Sequence, residues 1–394
     1  MTTSPDAGTS DALAWLLAES HELAPADLAA TVSDALARLG AESSCLYLAD
    51  HDQMSLHPLG PGGDPREAPA VDGTIAGRCY ALETVLQVQH GELTRLWVPL
   101  VDGTARLGVI AADLPAGLAG DPAVRDSVCH VAALAAELVT VKALHSDVIE
   151  QVRRRKEMTL QAEMQRGSLP PSALASRNVA VAGMLMPAYE VAGDWFDYAL
   201  NERELDVAVI DSVGHDLSSA MVSHLVSSAL RNARRNGLTL EDAYAAADAT
   251  LRWVFPTVQF ATAALGRLDL ADGRFRWISA GHPPPLVVRG GRVVNEVPTR
   301  PSLPIGLGGT DPVLNDVVLD PGDYLLLYTD GVTEGGSRGT ERFGLDRLAD
   351  LLPRNLEAGI PNTEVLRRLA GAVLDHAAFE LHDDMTFVLV EYRG

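Results

Sequence analysis

Asp194, Asp211, Asp330 and the pair Asp383–Asp384 each stand at the end of an apolar run. Asp194 stands second in GDWFD shortly after VAVAGMLMP, and Asp211 follows VAVI in VAVIDSVGHDLSSAM. Asp330 follows LLLY in LLLYTDGVTE, and Asp383 and Asp384 precede MTFVLV. A lone acid in such a place is usually a turn former or a helix cap. Four such places, with no cluster of Lys or Arg to neutralise them, imply carboxylates that converge if the strands lie side by side. Converging carboxylates repel unless cations neutralise them. All-oxygen donors favour Mg²⁺ or Mn²⁺ over zinc, and two such ions can clamp and activate a water for phosphate-ester hydrolysis.

Positioning these acids needs strands, and the C-terminal part of the chain supplies them. From about residue 178 to 394, apolar runs alternate with helical patterns: VAVAGMLMP, ELDVAVIDS, FATAALGRLDL, GRFRWISAG, PPLVVRGG, DYLLLYTD and MTFVLVEYR read as strands. Helical patterning covers about 216–236, 239–254, 343–352 and 363–379. Turns such as ADG between two runs imply hairpins and a largely antiparallel sheet. A sheet-rich core with helices on its outer faces is expected.

The preceding residues read differently. Residues 1–10 have the composition of a disordered tail. Residues 11–121 give helix, strand, a Gly/Pro-rich loop, a short helix and a hairpin, RLWVPLV to RLGVIAADL through Asp102 and Gly103. This is the pattern of a small α/β sensory module. Residues 122–177 read as a helical linker. In it Val128, Val131, Leu134, Leu138, Val141, Leu144, Val148 and Val152 form one apolar stripe, either a coiled-coil dimer seam or a face packed on its own domain. Pro170 and Pro171 stop the helical pattern.

The chain has 394 residues, 47% of them hydrophobic, and a formal net charge of −22. That length suits a multi-domain α/β protein, and the acidity disfavours nucleic acid and anionic membrane surfaces as partners. Cys45, Cys79 and Cys129 are widely spaced and suggest neither a zinc site nor a disulfide framework. The N-terminus lacks a signal-peptide pattern, and VCHVAALAAELVTV is interrupted by His130 and Glu137, so a cytoplasmic protein is expected.

GDWFD, DSVGHD, SAGHPPPL, YTDGVTE and DDMT, in this order, resemble the PPM superfamily of metal-dependent protein phosphatases, and more closely its SpoIIE/RsbU branch, over about residues 160–394. The N-terminal hairpin resembles that of a GAF domain, with PAS as the rival. The resemblance implies an α-β-β-α sandwich and a phosphoserine/phosphothreonine phosphatase holding two Mn²⁺ or Mg²⁺. Asp194, Asp211, Asp330 and Asp383 would be its catalytic, metal-holding acids, with Asp211 bridging both ions. Ser212 would lend a backbone carbonyl, Asp384 is the fallback if the register is off by one, and Asp197 is an outer candidate. It further implies a phosphorylated STAS-type anti-anti-sigma protein as substrate, an unknown small ligand at the sensor, and a homodimer. Where the family often has GHG, this chain has Gly214-His215-Asp216, and Asp216 suits a helix cap. His215 is open to two readings, acid for the leaving serine oxygen or a loop brace. His282 reads as a structural turn, and with His215 and His382 it lacks zinc-ligand spacing. The rival readings are a catalytically silent phosphoprotein-binding regulator and a ligand-sensing scaffold.

Overall fold

The computed structural model describes residues 5–60, 68–190, 193–214, 216–255, 257–294, 297–336, 341–378, 381 and 383–394. The chain divides into two compact units, Met1–Glu157 and Met158–Gly394.

The first unit contains helices α1 (Pro5–Ser20) and α2 (Leu28–Arg38), strands β1 (Ser43–Ala49) and β2 (Leu56–Leu59), and helix α3 (Ile75–Leu82). Strands β3 (Leu86–His90), β4 (Leu93–Asp102) and β5 (Ala105–Pro115) follow, then helices α4 (Ala116–Ala119), α5 (Pro122–Ala143) and α6 (Asp147–Arg153). The strands form one antiparallel sheet in the order β2-β1-β5-β4-β3. The β4–β5 hairpin turns at Gly103, whose φ is 61°. One sheet face packs Leu46, Leu96 and Ile110 against Leu16, Leu36 and Val128 of the helices. The other packs Trp97 and Val109 against Cys79 and Tyr80 of α3.

Two expectations change here. Helix α1 begins at Pro5, so the tail expected over residues 1–10 is helical from there, while residues 1–4 lie outside the described residues. The helical pattern across 122–166 is three helices, because polar caps interrupt it. The Ser146 hydroxyl accepts from the N–H of Val148 and starts α6 afresh, bent 108° from α5. Thr159 likewise caps α7 (Leu160–Arg166), accepting from the N–H of Ala162. The apolar stripe is largely spent within the unit. Val128, Val131 and Leu138 are buried in its core, Leu134, Val148 and Val152 pack against it, and only Val141 and Leu144 are exposed. The second of the two readings of the stripe is the one observed, which leaves the expected homodimer without that coiled-coil seam. Among the described residues no single helix is long and apolar enough to cross a membrane.

The second unit continues with β6 (Ala173–Ala175), β7 (Val179–Met186), β8 (Asp194–Leu200), β9 (Glu204–Ser212), α8 (Leu217–Arg235) and α9 (Leu240–Val254). Then come β10 (Ala261–Asp269), β11 (Arg274–Ala280), β12 (Leu286–Arg289), β13 (Arg292–Val293), β14 (Pro301–Ser302), β15 (Asn315–Val318) and β16 (Tyr324–Tyr328). Helices α10 (Asp330–Glu334), α11 (Leu345–Glu357) and α12 (Asn362–His376) lead to β17 (Met385–Tyr392). Two six-stranded sheets result. The first runs β14-β11-β10-β9-β8 with β15 on β11, and the second runs β13-β12-β16-β17-β7-β6.

Burial on both faces explains why these strands read as unbroken apolar runs. On β17, Val388 and Val390 point between the sheets, while Phe387 and Leu389 point outward under α11 and α12. The first sheet sets Ile210, Leu265 and Ile278 against Val226 and Tyr244 of α8 and α9. The layering is α-β-β-α.

Candidate active site

The acids meet where the two sheets share an end. Asp194 opens β8, and antiparallel register sets it directly opposite Asp211 near the end of β9. Thr262 of β10 faces Asp211 from the other side. The second sheet brings Asp330, just past β16, and Asp383 and Asp384, just before β17. The second sheet also brings Thr329 and Thr386. Asp194 is 2% exposed, and its Oδ2 accepts from the Thr329 hydroxyl at 2.7 Å and the Thr386 hydroxyl at 2.8 Å. Its backbone carbonyl accepts from the side-chain amide of buried Gln165 on α7.

The pair at the head of β17 divides its work. Asp384 is buried, and its Oδ2 accepts from the N–H of Gly193 at 2.8 Å and of Asp194 at 3.2 Å. Asp383 is exposed, and its Oδ1 accepts from the Asp384 N–H at 2.9 Å. Asp384 therefore holds the strand entrance in place. Gly331 lets the Asp330 turn approach closely, since a Cβ there would lie 1.9 Å from the Asp384 carbonyl oxygen. Ser212 is buried with its hydroxyl 2.8 Å from the Ser219 carbonyl, which ties the end of β9 to α8.

The electrostatics are those of crowded like charges. Burial, then the neighbouring carboxylates of Asp211 and Asp384, raise Asp194 well above the usual range, against the pull of the two threonine hydroxyls. Burial, then Asp330, Asp383 and Asp384, raise Asp211. Asp330 is raised by burial, then by Asp383 and Glu334. Among the described residues no three Asp, Glu, His or Cys side chains are gathered tightly enough to enclose an ion. In chemistry the donor set still fits a hard divalent cation: it is all oxygen, partly buried and mutually repelling.

Other expected residues fall elsewhere. Asp197 turns away from the cluster, because three residues along a strand reverses the face. It pairs instead with Arg231 at 2.7 Å and Arg234 at 2.8 Å on α8. Asp216 is the N-cap of α8, accepting from the Ser219 N–H at 3.0 Å. His282 is buried, with Nε2 3.0 Å from the Tyr328 carbonyl oxygen and Nδ1 2.9 Å from the Thr262 hydroxyl. Burial pushes its pKa down to about 4, so the ring is neutral. His215 and His382 lie outside the described residues. The threonines at 262, 329 and 386 were not singled out from sequence. Their only signal is adjacency, Thr329 beside Asp330 and Thr386 within DDMT.

Over residues 201–393 the sequence matches the family model described as Stage II sporulation protein E (SpoIIE). The chain is 25% identical over 289 residues to Protein IcfG of Synechocystis sp., covering 64% of this chain and 44% of that protein. It is 20% identical over 243 residues to phosphoserine phosphatase RsbU of Bacillus subtilis, covering 61% of this chain and 71% of that protein. It thus spans less than half the length of IcfG. Among solved structures, the SiaA-PP2C domain of Pseudomonas aeruginosa superposes with a TM-score of 0.50 at 21% identity, covering 59% of this chain and 94% of that one. That likeness shows a common fold, the two-sheet sandwich described above. The C-terminal unit of this chain thus carries the SpoIIE family match over residues 201–393 and shares the fold of a PP2C domain.

Proposed function

We propose that the C-terminal unit hydrolyses phosphoserine or phosphothreonine on a regulatory protein with the help of two Mn²⁺ or Mg²⁺ ions. The observation that carries this reading is the convergence of Asp194, Asp211, Asp330 and Asp383 from two sheets, with burial and mutual repulsion raising Asp194, Asp211 and Asp330. Asp194, Asp211, Asp330 and Asp383 would hold the ions, with the Ser212 carbonyl beside them. Asp384 is already engaged by two backbone N–H groups and serves as their support. When bound, such ions neutralise the acids, activate a water and stabilise charge on the phosphoryl group. Thr329 and Thr386 hold the Asp194 carboxylate in one orientation and favour its charged form. Hydrolysis in this manner needs no protein nucleophile, and all three cysteines lie in the first unit, where burial raises each thiol.

The substrate we favour is a phosphorylated STAS-type anti-anti-sigma protein, in line with the likeness to RsbU, in a cytoplasmic setting. The first unit, an antiparallel sheet with helices on both faces, supports a GAF-like sensor that takes a small ligand and controls the phosphatase. The test is hydrolysis of p-nitrophenyl phosphate and of a phosphoserine STAS protein, with Mn²⁺ and with EDTA. Turnover of both that needs the metal is expected. Binding of the phosphoprotein without turnover would instead make the unit a silent regulator.

A further inference from the structure

His282 joins the two sheets at the point where their acids face each other. It follows β11 of the first sheet, and its Nε2 meets the Tyr328 carbonyl at the end of β16 in the second. That carbonyl only accepts, so Nε2 carries the ring proton and Nδ1 presents a lone pair. The Thr262 hydroxyl, 2.9 Å away, therefore donates to Nδ1. Thr262 sits directly opposite Asp211 in the β9–β10 register, so holding Thr262 holds the backbone that carries Asp211. Tyr328 is followed by Thr329, which holds Asp194, and by Asp330. The local backbone is shaped to deliver the ring. Gly281 has φ 69°, a side chain there would strike Pro304 at 2.8 Å, and the Ser279 hydroxyl donates to the His282 carbonyl at 2.7 Å.

We propose that His282 is a positioning residue: through Thr262 on one sheet and the Tyr328 carbonyl on the other, it sets the separation of Asp211 and Asp330 and so tunes the site's grip on a divalent cation. The strut acts where it is most needed, because the Asp211 and Asp330 carboxylates repel one another across the gap it spans. This inference rests on the metal-dependent phosphatase reading.

The Nδ1 link can be removed from either end in the full-length protein. His282→Gln can keep a donor near the Tyr328 carbonyl and loses the acceptor for Thr262. Thr262→Val removes the same link from the other end with little change in shape, and Thr262→Ser keeps it. Mn²⁺ titration calorimetry is the primary readout, with kcat and KM for p-nitrophenyl phosphate beside it. We expect His282→Gln and Thr262→Val each to weaken Mn²⁺ binding roughly 10- to 100-fold, as loss of a partner supporting a metal ligand does. KM at saturating metal should stay unchanged, Thr262→Ser should behave as wild type, and the double variant His282→Gln/Thr262→Val should be no worse than either single one. Wild-type Mn²⁺ affinity in folded Thr262→Val and His282→Gln overturns the proposal, as does an additive double variant. A wild-type protein that binds no Mn²⁺ instead removes the metal reading beneath it.

Discussion

Strands β8 and β9 each carry two buried or half-buried aspartates, and the two pairs, one along the strands and one at their ends, are treated in opposite ways. Asp197 and Asp206 lie along the strands and are met by guanidinium groups, Arg231 and Arg234 for the first and Arg267, at 2.8 Å, for the second. Asp194 and Asp211 lie at the strand ends and are met by hydroxyls and by further carboxylates. The first pair is neutralised by the chain itself and ties α8 to the sheet and β10 to β9 within it. The second carries a charge problem that, on the proposed reading, a bound ion would solve. The lesson is that burial of an acid does not distinguish a strut from a working group, whereas the company it keeps does.

The contrast can be broken most sharply at Asp211. Asp211→Asn should lower kcat/KM by more than about 100-fold, beyond what loss of a supporting partner costs. It should also leave the metal-free fold intact or more stable, because one repelling charge is gone. Steady-state rates with thermal melts in EDTA decide this, and an active variant refutes the assignment.

Asp197→Ala should do the reverse. Two partly buried arginines lose their partner, so unfolding in urea should show a loss of about 3 kcal/mol. Mn²⁺ affinity of the folded protein should not change, and a large loss of affinity would place Asp197 in the metal site after all.

A smaller effect comes from pH. The acids at the strand ends have folded-state pKa values raised above their unfolded values, so the folded protein binds more protons there. Their contribution is fully present below about pH 4, the ordinary carboxylate value, and is lost as pH rises through the raised values. The metal-free melting temperature, corrected for other groups by comparison with Asp211→Asn, should fall between pH 5 and 8. Mn²⁺ should restore it, and a metal-free protein whose pH slope is unchanged by that substitution would remove the crowding argument. Smallest of all, Asp216→Ala should cost about 1 kcal/mol of stability as a lost helix cap. A fall in kcat well beyond that loss would give Asp216 a part in docking.

Much of this was legible in the sequence because apolar runs mark strands and strand ends mark the acids. In that way Asp194, Asp211, Asp330 and Asp383 are legible as acids at strand ends, and the flanking helices of the second unit are legible from their periodicity. Asp197 was read too close to the site, although its odd spacing from Asp194 on a strand already places it on the other face. The threonines were illegible, since a hydroxyl takes its meaning from a partner 135 or 192 residues away along the chain. In the first unit, the stripe from Val128 to Val152 showed a helical face without showing what covers it. Periodicity survives a cap such as Ser146, so three helices can keep the spacing of one.

Thr329, Asp330, Asp383 and Thr386 come late in the chain, and Asp194 and Asp211 come early. A cut in the stretch between β13 and β15 would leave each fragment with only part of the acid cluster. Such fragments should be inert apart and regain turnover only when the two sheets close on each other again, which would turn the enzyme into a split reporter of its own assembly.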